Sequence, residues 1–233
     1  MFMANRNQTD WHSFFHAPHG KLEEMGRRER RSCETRERLF RAAMNLFRDH
    51  GFQKTTVEDI TDAADVGKGT FFNYFPSKEH VLGVLGEVQL AKYEKALVIA
   101  REQNTREALS WLYHALPSEV GGSPKMVRSM ITVFLTSEAV REFLTAGLAR
   151  ARERLVVMFA DAQQRGEIPR QHKSEDLAFR FQQSLFGSML LWTLQTPTPP
   201  LDGWLESGCD FFWSAVTATP QIPVANNGVD HET

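Results

Sequence analysis

Residues 52–78, FQKTTVEDITDAADVGKGTFFNYFPSK, constrain this chain more than any other stretch. The spacing predicts two short helices joined by a tight turn, with a third helix opening at Ser77. Thr55, followed three residues later by Glu58, has the pattern of a capping box, in which hydroxyl and carboxylate each satisfy an orphan amide of the first turn. Val57, Ile60, Ala63 and Ala64 recur at helical spacing and give the first helix one buried face. Asp65-Val66-Gly67 supplies the turn. Aspartate tolerates the left-handed backbone such turns need, Val66 fills the angle between the helices, and Gly67 opens the next one.

In the second helix Phe71 and Phe75 lie four apart and share a buried face. Gly69, Thr70 and Asn73 point away from that pair, with Phe72 at the margin. Two buried aromatics with glycine, threonine and asparagine outward make a poor core helix but a suitable reading head. Asparagine can pair with an adenine edge and threonine can meet a phosphate or a thymine methyl, while glycine permits close backbone approach. Gly69 costs roughly 1 kcal/mol relative to alanine in a helix, which a purely structural helix has no reason to keep. Lys78 is a cation in the first turn of the following helix, where the dipole favours anions, and a docked phosphate would resolve the conflict.

These residues carry a family resemblance. The run TTVEDITDAADVGKGTFFNYFPSKE, preceded by Gly51-Phe52 at a helix end, resembles the DNA-binding domain of TetR-type transcriptional regulators over more than twenty consecutive positions. The resemblance implies DNA contacts from Thr56, Lys68, Gly69, Thr70, Asn73, Tyr74 and Lys78, with phosphates taken mainly by Thr56, Tyr74 and Lys78. Gly67 and Phe72 complete the candidate interface. Three positions depart from the family pattern. Asp65 stands where glycine is common, Gly67 where a capping serine is common, and Phe72 where a tyrosine is common. The implied fold is all-α with about nine helices. A three-helix helix-turn-helix domain over residues 34–80 precedes a helical effector-binding and dimerisation domain over 81–218, flanked by disordered segments at 1–33 and 219–233.

Composition bounds the alternatives. The 233 residues are 42% apolar, an ordinary soluble composition long enough for a small domain plus a larger one. No apolar run approaches the ~18 residues of a membrane span, and the cytoplasm is the expected compartment. The net charge of −2 runs against the basic balance of most nucleic-acid binders. Seven Lys/Arg face eight Asp/Glu between Glu34 and Glu79, so a DNA footprint must be a local arrangement and affinity must lean on dimerisation. Cys33 and Cys209 give neither a disulfide framework nor a metal spacing. His12, His16 and His19 lack a partner set for a metal, and no cofactor is implied. No nucleophile–base constellation or phosphate loop supports an enzyme. The run Arg27-Arg28-Glu29-Arg30-Arg31, placed before the first helix, reads as an arm that lies along a DNA groove or as a solvated charge run.

The remaining helices are expected at 35–50, 77–101, 105–116, 124–135, 138–165, 174–194 and 201–217. Trp111, Met130, Phe134, Met158, Phe159, Phe186 and Met189 are candidates for an apolar effector pocket; no charged residue is clearly placed to neutralise a ligand, His114 and Arg128 being the two candidates. An apolar or aromatic small molecule is the effector class this implies. Phe181, Leu185, Met189, Trp192, Trp204, Leu205, Phe211 and Phe212 are the expected faces of a four-helix dimer interface, with Gly187 and Ser188 permitting close approach. The expected function is a homodimeric repressor of a palindromic double-stranded DNA operator, released by the effector. The alternative is an architectural or protein-partner module without one.

Overall fold

The computed structural model describes Phe15, residues 26–120 and residues 123–218. Among them are nine α-helices and no strand: α1 (Arg27–His50), α2 (Val57–Ala63), α3 (Lys68–Tyr74), α4 (Lys78–Glu102), α5 (Thr105–Ala115), α6 (Pro124–Thr136), α7 (Glu138–Gln164), α8 (Ser174–Trp192) and α9 (Leu201–Thr217). A 3₁₀ turn, Leu116–Val120, follows α5. The residue 219–233 tail and the three leader histidines lie outside the described residues.

The boundaries follow from local chemistry. Asn104, Ser123 and Ser137 each accept a backbone amide of the next first turn, capping α5, α6 and α7, and Pro124 occupies the first turn of α6. Gly51 (φ 90°) and Gly166 (φ 77°) take the left-handed backbone that stops α1 and α7. One boundary differs from the sequence expectation by two turns. Helix α1 begins at Arg27, not near residue 35, because the Glu29 carboxylate accepts the Gly26 N–H at 3.2 Å and caps it. The arginine run is therefore helical. Phe15 is also buried, its ring 5.5 Å from that of Phe40.

Two apolar clusters organise the molecule. One joins α1 (Leu39, Phe40, Ala43, Phe47), α2 (Ile60), α3 (Phe71) and the start of α4 (Val81, Leu82, Leu85). It also takes in Met126, Met130 and Val133 of α6, so the core under the helix-turn-helix does not end near residue 80. The other packs the far half of α4 with α5, α7, α8 and α9 around Leu112, Tyr113, Leu155, Phe159 and Phe181. Helix α4 has 25 residues, about 37 Å at 1.5 Å per residue, and runs through both.

This packing corrects the expected dimer face. Phe181, Leu185, Leu205 and Phe212 are buried inside a single chain, where they join α8 and α9 to α5 and α7, and Trp192 is also buried, its indole N–H donating to Pro199 O at 2.9 Å. Trp204 is half-buried, with its indole N–H donating to Ser188 O at 2.9 Å. The apolar surface lies one helical face away, at Phe179, Phe186, Leu190, Leu191, Leu194 and Phe211, the last 76% exposed. Ser188 serves close packing within the chain, since a Cβ on Gly208 would meet its Oγ at 3.3 Å.

Candidate nucleic-acid interface and effector cavity

Helix α2 is held by a capping box one residue later than its sequence suggests. Thr56 Oγ1 accepts the Asp59 N–H at 3.1 Å, and Asp59 Oδ2 accepts both the N–H and the hydroxyl of Thr56 at 2.8 Å. Those two donors hold the Asp59 carboxyl below the usual carboxylate range. Thr55 instead donates its hydroxyl to Gly51 O at 2.9 Å and is buried, and Glu58 pairs with Lys68. The buried face of α2 is Ile60, Thr61 and Ala64, with Ala63 exposed and Val57 half-buried. Asp65 turns the chain at φ 51°, and the Val66 N–H reaches back to Thr61 O at 3.0 Å.

Helix α3 then starts at Gly67, which has no side chain to cap it. Phe71 and Phe75 are buried with rings 5.5 Å apart and anchor α3 to α1 and α4. Truncating either would cost about 3–5 kcal/mol. On the opposite face Gly69, Asn73 and Phe72 are exposed and Thr70 is half-exposed. A Cβ on Gly69 would meet nothing within 4 Å, so its packing does not require glycine. The side chains of Thr70 and Asn73 hydrogen-bond to no described residue.

The two lysines stand differently. Lys68 is exposed and ion-paired with Glu58, whose carboxyl that contact lowers. Lys78 donates to Phe52 O and Thr55 O, each at 2.7 Å, and its ammonium lies 4.4 Å from the Phe52 ring centroid. Burial pushes its pKa down. The cation in the first turn of α4 is thus satisfied within the chain by carbonyls of the loop before α2. Tyr74 is half-buried and its hydroxyl accepts from Ser32 Oγ at 3.2 Å, a contact made by the first turns of α1 that the sequence reading leaves outside the helix.

A cavity of about 490 Å³ opens between α4, α6, α7 and α8. Of the expected pocket residues, Met130, Phe134, Phe186 and Met189 line it. Met158 and Phe159 do not, being sealed in the body core, and Trp111 lies against the same core beneath Lys95. Leu185, expected in the interface, contributes to the cavity wall. His114 and Arg128 do not reach it; they bond to Ser110 O and Thr193 O. The residues missed from sequence sit mainly on α4 and α7, among them Gln89, Tyr93 and Leu148, where the apolar pattern does not distinguish a cavity wall from core.

Helix α6 joins this cavity to the helix-turn-helix. Its Ser129 Oγ accepts the Phe52 N–H at 3.1 Å, and Lys125 Nζ reaches Asp49 O at 2.5 Å. Among the described residues no group of three or more His, Cys, Asp and Glu could hold a metal. The Cys209 thiol is pushed up to about 11 by burial. No helix among the described residues is long and apolar enough to cross a membrane.

Residues 39–85 match the model of the bacterial regulatory proteins, tetR family. The chain is 35% identical over 117 residues to the transcriptional regulator TcmR of Streptomyces glaucescens, a match spanning 48% of this chain and 49% of that protein. It is 30% identical over 141 residues to the repressor KstR of Mycobacterium tuberculosis, spanning 58% and 60%. The chain thus spans about half the length of the first curated relatives it matches. Among solved structures, the TetR-family repressor FadR of Thermus thermophilus superposes with TM-score 0.57 at 27% identity, over 79% of this chain and 96% of that one. FadR of Bacillus halodurans shares the fold at TM-score 0.66 and 16% identity, over 79% and 97%. Residues 39–85 thus form a DNA-binding domain of the bacterial regulatory proteins, tetR family, and the chain as a whole is similar to TetR-family regulators.

Proposed function

We propose that this protein is a cytoplasmic, homodimeric transcriptional repressor that binds a palindromic DNA operator through α3 and is released by a small apolar effector. The observation that carries the reading is the outward face of α3. Gly69, Thr70 and Asn73 stand on a helix clamped by two buried phenylalanines, with the polar side chains unengaged. That is the arrangement a major-groove reader needs: donors and acceptors free, backbone position fixed. Thr56 and Tyr74 flank this face as candidate phosphate contacts, with Gly67 and Phe72 at its edge. Lys68 serves only by exchanging Glu58 for a phosphate. Lys78 acts chiefly by fixing the loop before α2, which orients Thr56.

Dimerisation supplies the second reading head. The exposed apolar residues of α8 and α9, Phe186, Leu190, Leu191, Leu194 and Phe211 among them, form a face suited to a second copy across a two-fold. Such pairing sets two α3 helices about one duplex turn (~34 Å) apart or a small multiple of it.

The cavity supports the effector half of the reading, and FadR of Thermus thermophilus, of similar fold, is seen in complex with a small molecule, lauroyl-CoA. A module built only to bind a partner protein has no use for such a space. An effector releases DNA only by preferring a head geometry that misfits the operator. Helix α6 provides a route, since one face lines the cavity, Ser129 holds the loop between α1 and α2, and Lys125 holds the last turn of α1.

Selection of bound sequences from random duplex DNA tests this reading. An inverted repeat should be enriched, bound by two chains. A pool with no shared sequence, or a single half-site bound by one chain, would overturn it.

A further inference from the structure

The cavity wall carries more information than its size. Among the described residues that line it there is no Asp, Glu, Lys, Arg or His; the wall is aliphatic, aromatic and thioether, with two amphipathic exceptions on α4. Gln89 and Tyr93 lie one turn apart on the same face. Gln89 Nε2 donates to Leu116 O at 3.1 Å. Tyr93 is 4% exposed, and its hydroxyl forms no hydrogen bond with any described residue. Buried tyrosine hydroxyls ordinarily find a partner. Burial also pushes the Tyr93 phenol well above its usual range, so it stays a neutral donor at any physiological pH.

Three helical glycines bear on the same space. Gly86 of α4, Gly147 of α7 and Gly187 of α8 all line the cavity, and a Cβ added to any of them would meet nothing within 4 Å. Glycine inside a helix is destabilising relative to alanine, so packing within the chain does not account for all three. They leave open a volume that a ligand can use.

From this wall we infer that the effector is an uncharged, largely apolar molecule carrying a hydrogen-bond acceptor oxygen, seated on the Tyr93 hydroxyl. The inference rests on the reading of the cavity as an effector site. A carboxylate, phosphate or ammonium entering it would lose its hydration and meet no counter-charge. A pure hydrocarbon would displace water from the phenol and offer it no acceptor in exchange. A ketone, ester or ether oxygen satisfies it, and specificity of this kind comes from the few polar groups in an otherwise apolar pocket. A cavity of 490 Å³ falls within the size range of drug-sized ligands.

The test uses matched probes on the full chain, with dissociation constants read by displacement of Nile red fluorescence. The probes are 2-tridecanone against tridecane, 9-fluorenone against fluorene, and tridecanoate and fluorene-9-carboxylate as anions. In the wild type at least one ketone should bind about 5-fold more tightly than its hydrocarbon, as expected for one neutral hydrogen bond, and both anions should bind more weakly than the ketones. Tyr93→Phe should erase the preference for the ketone and leave hydrocarbon affinity unchanged. Its melting temperature without ligand should hold or rise, because the substitution removes only an unpartnered hydroxyl. Gly86→Leu, which fills the space, should abolish binding of every probe.

Ketone preference that survives Tyr93→Phe, or no preference in the wild type, overturns the anchor while the cavity keeps its role. An anion that binds more tightly than its ketone overturns the uncharged class. Failure of every probe to bind, with operator binding intact on the same sample, overturns this inference together with the effector reading, and leaves the DNA-binding reading standing.

Discussion

At the scale of single residues, the interface divides into side chains already satisfied and side chains kept free. Lys78 belongs to the first group. Its two carbonyl acceptors and the Phe52 ring make it the clasp of the loop that carries Thr56. Lys78→Met should lower the unfolding free energy by about 1–3 kcal/mol, because two part-buried carbonyls lose their donor. Urea denaturation checks this; an unchanged midpoint would mean the clasp is idle. Asp59 sets a pH dependence. The Thr56 N–H and hydroxyl stabilise its ionised form in the folded state, so its contribution is complete above the ordinary carboxylate value and is lost as pH falls through the lower folded value. The stability gap between the wild type and Asp59→Asn should therefore be constant near neutrality and shrink below about pH 4. A gap that persists to pH 2 would contradict it. The shift of the box from Thr55–Glu58 to Thr56–Asp59 shows why such detail is hidden in a sequence. The run TTVED offers two overlapping S/T-x-x-D/E patterns, and only the burial of Thr55 against Gly51 O decides between them.

At the scale of elements, the periodic helices are readable from sequence and their ends less so. Helices α5 to α7 start just past the capping Asn104, Ser123 and Ser137, α9 starts at Leu201 as expected, and Gly51 and Gly166 stop α1 and α7. The early start of α1 escapes a sequence reading because a glycine N-cap with glutamate three residues on is a weak signal beside four arginines. Its consequence is functional. The Ser32–Tyr74 hydrogen bond ties the first turns of α1 to α3, so Arg27, Arg28, Arg30 and Arg31 ride on a rigid element near the reading head. Replacing these four by alanine should weaken operator binding and flatten the dependence of log K on log salt by up to about one unit for each phosphate no longer neutralised. An unchanged slope would make the run a solvated face. The division of α8 and α9 between core and surface is equally illegible. Both faces of these helices are apolar, and only packing against α5 and α7 shows that Phe181, Leu185 and Phe212 turn inward while Phe186, Leu191 and Phe211 turn outward.

At the scale of the whole molecule, affinity for DNA has to come from two copies, because the net charge of −2 leaves little bulk attraction for phosphate. Phe211→Glu with Leu191→Glu puts charge on the exposed apolar face without disturbing the core. It should yield a folded monomer by sedimentation, with operator affinity reduced at least 100-fold, the scale of avidity that vanishes when two linked reading heads become one. A variant that stays dimeric would place the interface elsewhere. The cavity, α6 and the reading head form one continuous path of packed side chains, but the path matters only if α3 reads bases. The most direct measurement is operator affinity across every single-base variant of the selected duplex, for the wild type and for Asn73→Ala. The account predicts a loss of about 1–3 kcal/mol of discrimination at one base pair in each half-site, at positions related by the two-fold, with other positions little changed. Unaltered preferences, or a uniform weakening at every position, would contradict it.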